Sequence, residues 1–195
     1  MKRARLPGPA AGRRIGLLGG SFNPAHEGHL HVAETALKRL GLDEVWWIVA
    51  RGNPLKSEHG DFAARLESAR AFARPPAMHV SDIEAQLELT YTADMLRVLK
   101  AAEPAAHFVW IMGADNVANF HLWKDWEEIA STFPIAVVSR SGARITKAQT
   151  FTRRFAGARV AEQEASGLAL RPAPAWVYLR GANNPLSSTA LRRAT

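Results

Sequence analysis

One stretch of the chain, residues 19–30, constrains the possible folds more than any other. It reads GGSFNPAHEGHL, with a short apolar run before it at residues 15–18 and an amphipathic run after it at residues 30–40. This order predicts a buried first strand, a turn and a first helix. At the start of a helix, free backbone N–H groups and the positive end of the helix dipole point the same way. The turn is therefore suited to hold phosphate.

The residue types within this stretch narrow its chemistry further. Gly19 and Gly20 permit a sharp turn and a close approach of a ligand to the main chain. His26 lies in the turn and His29 in the first helical turn, so both rings can face one pocket. The same histidine pair could instead form half of a metal site or lie in solvent. The chain contains neither G-x-G-x-x-G nor a Gly-Lys pair, which excludes a dinucleotide fingerprint and a P-loop.

Apolar runs and amphipathic runs alternate along the rest of the chain. This alternation predicts an α/β fold, with a single doubly wound, mostly parallel sheet and helices on both faces. Gly41 is expected to end the first helix, and Thr90 or Thr92 to be the N-cap of the third. Residues 145–170 are expected to form a helix and a loop. The strands are predicted at residues 15–18, 45–50, 78–80, 107–112, 134–139 and 176–179. Helices are predicted at residues 30–40 and 61–73 and from residue 90 onwards. The spacing of the aromatic residues predicts a further helix over residues 119–129.

Charge and composition limit the class of protein. The formal net charge is +7 over 195 residues, a balance that attracts anionic partners. The chain has no cysteine, which is consistent with a cytoplasmic location, and no apolar run long enough to span a bilayer. Residues 1–14 are basic, contain no acid and lack the apolar region of a secretory signal. We expect a disordered tail there and a single domain over residues 15–195, with no nucleic-acid or membrane partner.

A second candidate phosphate site lies near the end of the chain. Ser187, Ser188 and Thr189 stand at the start of a predicted final helix, with Arg192 one turn later. Hydroxyl groups, a helix N-terminus and a guanidinium together bind phosphate well. Gly113 and Asp115 also follow a predicted strand. Because ligands bind beyond the carboxyl ends of parallel strands, these groups should meet the histidine turn at one rim.

The two end motifs resemble the signatures of the H-x-G-H nucleotidyltransferases. Within that superfamily the chain is most similar to the bacterial nicotinate mononucleotide adenylyltransferases. Ser21 and Asn23 stand where the commoner family wording has Thr and Asp, and Leu55 replaces a histidine of the family's loop. The resemblance implies a Rossmann-like nucleotidyltransferase fold. It also implies transfer of AMP from ATP to the 5′-phosphate of nicotinate mononucleotide, with Mg²⁺ arriving together with ATP.

The resemblance also assigns roles to individual residues. Thr92 and Trp123 match positions that hold the pyridine nucleotide in the family. The catalytic residues would be His26, His29 and Arg192. The ATP site would comprise Gly19, Gly20, Ser21, Phe22, His26, His29, Lys56, Gly113, Asp115, Ser187, Ser188, Thr189 and Arg192. The acceptor site would comprise Asn23, Asn53, Thr92, Trp123 and Lys124.

Three other functions remain compatible with the sequence. A sister transferase acting on nicotinamide mononucleotide or on phosphopantetheine would share the two end motifs. A sensor on the same fold would bind ATP without releasing pyrophosphate. The hypothesis of a nucleic-acid binder rests only on the net charge and the basic tail. Under that hypothesis, removal of residues 1–14 should abolish salt-sensitive binding to nucleic acid.

Overall fold

The computed structural model describes residues 4–52, 60–74, 76–140 and 145–180. Its centre is a seven-stranded sheet in the order β3-β2-β1-β4-β5-β7-β6, in which every neighbouring pair is parallel. The prediction of a doubly wound parallel sheet is therefore confirmed. The strands are β1 (Arg14–Gly20), β2 (Glu44–Val49), β3 (Met78–Ser81), β4 (His107–Gly113), β5 (Ile135–Val138), β6 (Arg159–Val160) and β7 (Trp176–Leu179).

Helices connect these strands. Asp61 caps the second helix by accepting a hydrogen bond from the Ala64 amide at 2.9 Å. Gly41 has a φ of +60°, which confirms it as the glycine that ends the first helix. The described residues also form three 3₁₀ segments, at Phe120–Leu122, Ala156–Ala158 and Glu162–Leu170. The α-helices are α1 (Glu27–Arg39), α2 (Phe62–Phe72), α3 (Ile83–Gln86), α4 (Thr92–Ala102), α5 (Ala114–Val117), α6 (Trp126–Thr132) and α7 (Thr150–Arg154).

Both faces of the sheet are buried under helices. Successive side chains of a strand point to opposite faces, so Leu17 and Leu18 enter two different hydrophobic clusters. Trp46 and Trp47 divide in the same way and are fully buried. One cluster packs against α1 and α2, and the other against α4 and α6. Near-continuous apolar strands are typical of this arrangement.

Three local predictions are wrong. Helix α4 starts at Thr92, and its N-cap position is Tyr91, which makes no side-chain capping bond, so neither Thr90 nor Thr92 is the cap. The helix expected over residues 119–129 is broken into a 3₁₀ turn and α6, because Asp125 has a φ of 53°. Residues 145–170 contain the short strand β6 as well as helical segments.

Residues 4–13, which we expected as part of a disordered tail, lie against the domain. The backbone of Arg5 and the side-chain amide of Gln86 exchange two hydrogen bonds, and Ala10 is buried. Arg13 donates to the buried carboxylate of Glu44 at 2.5 Å. The end of this segment therefore lies beside the first residue of β2, Glu44. Among the described residues, none of the helices has the length and apolarity needed to cross a membrane.

Candidate active site

A cleft of about 510 Å³ opens at the carboxyl ends of the central strands. The ends of β1, β4 and β5 contribute Gly20, Gly113 and Arg140 to its lining. The chain runs outward from β1 to β2 and β3 and then returns to β4 on the other side, so β1 and β4 flank the topological switch point. Ligands of doubly wound sheets bind at this place, and the volume suits a nucleotide.

The structure brings most of the described candidate residues into this cleft. They come from three parts of the chain that are distant in sequence: the turn after β1, the start of α4 and the segment after β4. The candidates that line the cleft are Gly19, Gly20, Ser21, His29, Thr92, Gly113, Asp115, Trp123 and Lys124.

Three candidates do not line the cleft. The ring of Phe22 is buried against Trp47, with 5.2 Å between ring centroids, so only the main chain of Phe22 can serve a ligand. His26 is 2% exposed and reaches the cleft-lining Arg140 through Nε2, and Asn23 lies beside Gly60. A further group falls outside the described residues: Asn53, Lys56, Ser187, Ser188, Thr189 and Arg192.

The packing at the end of β1 gives a reason for its two glycines that differs from the expected one. A Cβ at Gly19 would overlap the indole ring of Trp110, and a Cβ at Gly20 would lie 2.9 Å from the ring of Phe22. Both glycines therefore leave room for neighbouring aromatic rings, where the sequence had suggested room for a ligand. The requirement at Gly19 comes from Trp110 on β4, which the local sequence does not reveal, whereas the requirement at Gly20 comes from Phe22, two residues further along the chain.

His26 is the N-cap of α1 and is held in one protonation state. Its Nδ1 accepts a hydrogen bond from the Gly28 amide at 3.0 Å. Burial, together with the positive charge of Arg140 and against the opposing effect of Asp115, lowers the pKa of His26 to about 4. The ring is therefore neutral near pH 7. A neutral imidazole that accepts at Nδ1 carries its proton at Nε2.

The Nε2–H of His26 faces a second donor. Nη2 of Arg140 lies 3.3 Å from Nε2, and Nη1 of Arg140 pairs with Asp115 at 3.1 Å. No atom fits between nitrogens this close, but both donors can reach one negatively charged acceptor that lies in front of them. The His29 ring packs against that of His26 at a tilt, with 3.9 Å between centroids, and itself lines the cleft. This corner of the cleft is thus arranged for an anion.

Another part of the cleft wall is aromatic. Trp123 packs edge-on against Trp110 and Phe120, with ring centroids 6.4 and 5.4 Å away. The Lys124 ammonium lies 4.4 Å from the centroid of Tyr91. Trp126 packs against Phe120 and Phe155, as expected of a core residue. Trp123 therefore presents a fixed aromatic surface to the cleft.

The sequence pattern gave no role to two buried charged residues beside the cleft, Glu84 and Arg65. Residues 81–89 had no clear pattern, and Arg65 sits in an ordinary amphipathic helix. Glu84 lines the cleft and accepts a hydrogen bond from the Arg51 amide at 3.0 Å. Burial raises the pKa of Glu84 to about 7, although the Arg51 amide and the charge of Arg65 act in the opposite direction.

The raised pKa of Glu84 predicts that this residue makes the stability of the protein depend on pH. Between the unfolded pKa of 4.5 and the folded pKa of about 7, the folded protein binds more protons at this group than the unfolded chain does. Its contribution to stability is therefore fully present below about pH 4.5 and is lost as the pH rises through 7. We expect the free energy of unfolding of Glu84→Gln, relative to that of the parent protein, to rise by about 2–3 kcal/mol from pH 5 to pH 8.5.

Urea unfolding of both proteins at these two pH values measures the difference. His26 contributes with the opposite sign, but it is present in both proteins and cancels. The exposed Glu67, which pairs with Arg70 on the surface of α2, provides the control Glu67→Gln, which removes a carboxylate that is not buried. An equal offset for Glu84→Gln at both pH values would contradict the assignment.

Comparisons with known proteins agree with this geometry. The model of the cytidylyltransferase-like family matches residues 17–194. The chain belongs to this family. The probable nicotinate-nucleotide adenylyltransferases of Methylorubrum extorquens (strain PA1) and Caulobacter sp. (strain K31) are 52% and 55% identical to it over 183 residues. These matches cover 92% of this chain and 98% and 96% of those relatives.

Solved structures support the fold of the family. The Plasmodium falciparum nicotinic acid mononucleotide adenylyltransferase complexed with NaAD has a TM-score of 0.72 at 18% identity, and the match covers 93% of this chain and 83% of that one. The same protein complexed with APC gives a TM-score of 0.69. The sequence-based expectations of a nucleotidyltransferase family and of a Rossmann-like fold are confirmed.

Proposed function

We propose that this protein is a nicotinate-nucleotide adenylyltransferase. It transfers AMP from ATP to the 5′-phosphate of nicotinate mononucleotide and releases pyrophosphate. The observation that carries this proposal is the corner where the donors of His26 and Arg140 converge beside His29, in the same cleft as the aromatic wall of Trp123. The curated relatives named above, which match over nearly their whole length, support the same activity.

The anion-binding corner formed by His26, Arg140 and His29 is assigned to the phosphates of ATP. His26 and Arg140 offer N–H groups to one oxygen, and His29 offers a second imidazole from the first turn of α1. The N-terminus of α1 adds its dipole to the same place. We assign the main chain of residues 19–22, together with Gly113 and Asp115, to the nucleotide. Lys56, Ser187, Ser188, Thr189 and Arg192 keep their sequence-based assignment to ATP and lie outside the described residues.

The aromatic wall is assigned to the acceptor. Trp123 would stack on the pyridine ring, and Thr92 and Lys124 lie beside it at the start of α4 and after the 3₁₀ turn. Asn23 and Asn53 are kept as acceptor candidates from the sequence. The two halves of the cleft then hold ATP and acceptor side by side, as an in-line transfer requires.

The chemistry needs positioning and charge stabilisation more than a strong base. The acceptor phosphate is already a competent nucleophile near neutral pH, and its oxygen forms the new bond to the α-phosphorus while the bond to pyrophosphate breaks. Fixed N–H donors offset the charge that develops on the leaving group. The neutral state of His26 allows it to donate from Nε2 while Nδ1 remains bound to the Gly28 amide.

Mg²⁺ is proposed to enter as part of the ATP complex. The described residues include no group of three or more His, Asp or Glu side chains placed to hold a metal ion. Mg²⁺ commonly keeps several waters and binds through substrate phosphates with one or two carboxylates. Asp115, half exposed at the cleft, is a carboxylate that can take this part. The ion would neutralise charge on the transferring phosphates.

Pyrophosphate release from Mg-ATP tests the proposal directly. Nicotinate mononucleotide, nicotinamide mononucleotide and phosphopantetheine are compared as acceptors under identical conditions. We expect release with the nicotinate form and far less with the other two. Equal release with the nicotinamide form would remove the acceptor assignment. If the protein binds ATP but releases no pyrophosphate with any acceptor, the hypothesis of an enzyme would give way to that of a nucleotide sensor.

Replacement of Trp123 should affect the acceptor more than ATP. We expect Trp123→Leu to raise KM for nicotinate mononucleotide on the order of tenfold or more, because a stacked ring contributes roughly 1–3 kcal/mol. KM for ATP should change less than about twofold. Trp126→Leu is the matched control, since that ring packs in the core and should lower stability without changing the ratio of the two KM values. A parallel rise of both KM values in Trp123→Leu would contradict its place in the acceptor site.

A further inference from the structure

Helix α2 carries two polar side chains on the face that it turns toward the domain. Arg65 and Ser68 are three residues apart and so lie on the same side of the helix. Arg65 is only 3% exposed, which is unusual for an arginine, and Ser68 is half-buried. Neither residue lines the cleft. Both reach instead to the backbone of the turn that follows β1.

Arg65 binds three backbone carbonyl groups. Its Nη1 donates to the carbonyl of Ser21 at 2.9 Å and to that of Ala50 at 2.7 Å, and its Nη2 lies 3.2 Å from the carbonyl of Arg51. These bonds join the turn after β1 to the end of β2. Burying a guanidinium in this way adds little net stability compared with an apolar side chain of similar size. The role of Arg65 therefore lies in the backbone geometry that these hydrogen bonds impose.

Ser68 holds the other end of the same turn. Its Oγ accepts a hydrogen bond from the Ala25 amide at 2.8 Å. Residues 21–25 are thus held at both ends from one face of α2, by a donor at Ser21 and an acceptor at Ala25. His26 follows directly, and its extended backbone, with φ −160° and ψ 170°, begins α1.

We propose that Arg65 and Ser68 are positioning residues, which clamp residues 21–25 and thereby set the placement of His26 and of the backbone that faces the nucleotide. The effect of this clamp on catalysis rests on the proposed function. The effect of the clamp on the turn does not depend on that function. Reactive groups displaced by about 1 Å lose on the order of 10²-fold in rate. The clamp should therefore act on kcat more than on substrate affinity.

Ser68→Ala is the main test, because it removes one acceptor from a half-buried site and should leave the fold intact. We expect amide hydrogen exchange at residues 21–23, at the other end of the turn from the bond between Ser68 and Ala25, to accelerate on the order of tenfold. We expect kcat to fall on the order of tenfold, with KM for both substrates within about twofold of the parent values. Ser68→Thr keeps the oxygen and should restore both exchange and kcat.

Arg65→Lys provides the second arm. A lysine offers a single ammonium and cannot reproduce the planar fork that reaches three carbonyls, so we expect kcat to fall on the order of 10²-fold. Arg70→Gln is the matched control, since Arg70 lies on the exposed side of α2 and pairs with Glu67 at 2.5 Å. It should change neither exchange nor kcat.

The two proposals fail in different ways. Unchanged exchange at residues 21–23 in Ser68→Ala would overturn the clamp, whatever the activity. A fall in kcat that Ser68→Thr does not restore would also overturn it. If the parent protein releases no pyrophosphate with any acceptor while the exchange responds as expected, the clamp on the turn stands and the proposed function is wrong.

Discussion

His29→Ala is expected to lower kcat for pyrophosphate formation by about 10²- to 10³-fold with the fold intact. His29 lines the cleft from the first turn of α1, and its ring packs at a tilt on His26 and edge-on against Phe22, with 3.9 and 5.0 Å between centroids. These contacts hold the imidazole where charge develops on the leaving pyrophosphate. Steady-state kinetics measure the loss, and circular dichroism with a thermal melt verifies the fold.

His31→Ala is the matched control for this variant. His31 lies two residues further along the same helix and does not line the cleft. Its replacement should alter the melting temperature at most and leave kcat close to the parent value. Parent-like turnover in His29→Ala would show that the phosphate contact was wrongly assigned to His29.

Replacement of Arg140 should have the second largest effect. We expect Arg140→Gln to lower kcat/KM for ATP by about 10²- to 10³-fold, because a charged donor is lost beside the phosphates. The same variant should raise the pKa of His26, since the charge of Arg140 is one of the two causes that keep it near 4. His26 would then remain neutral over a narrower range, and protonation would begin at a higher pH as the solution is acidified.

Two measurements separate these effects. Kinetics give kcat/KM, and an NMR titration of the His26 ring gives its pKa in the parent protein and in Arg140→Gln. Arg171→Gln is the control, since Arg171 is an exposed residue that pairs with Glu164 away from the cleft. An unchanged His26 titration in Arg140→Gln would refute the electrostatic link between the two residues. Unchanged kcat/KM would refute the assignment of Arg140 to ATP.

The architecture was predictable because its signals are local and repeated. Continuous apolar runs such as that of β2 are typical of strands buried on both faces, and the helices between them fix the parallel order. The two-residue strand β6 carries no such pattern, since Arg159 is exposed and only Val160 is buried. The break at Asp125 was equally hidden, because the aromatic residues around it keep helical spacing.

The candidate site was predictable where its residues belong to a motif. The turn after β1 brings His29 and Ser21 to the cleft, and Gly113 and Asp115 follow β4 as expected. Arg65 was missed because its partners are backbone carbonyls on two other segments, and carbonyls leave no trace in the sequence. Glu84 was missed because its altered pKa comes from burial, which only the folded chain reveals.

The contact between Gly19 and Trp110 has a consequence for changing the acceptor. Trp110 fills the space above Gly19 on one side and supports Trp123 on the other. A library that varies position 110 alone therefore opens a void beside β1, and one that varies position 19 alone meets the indole ring. Reshaping of this pocket succeeds only when the two positions are varied jointly, with a smaller side chain on β4 admitting a Cβ on β1.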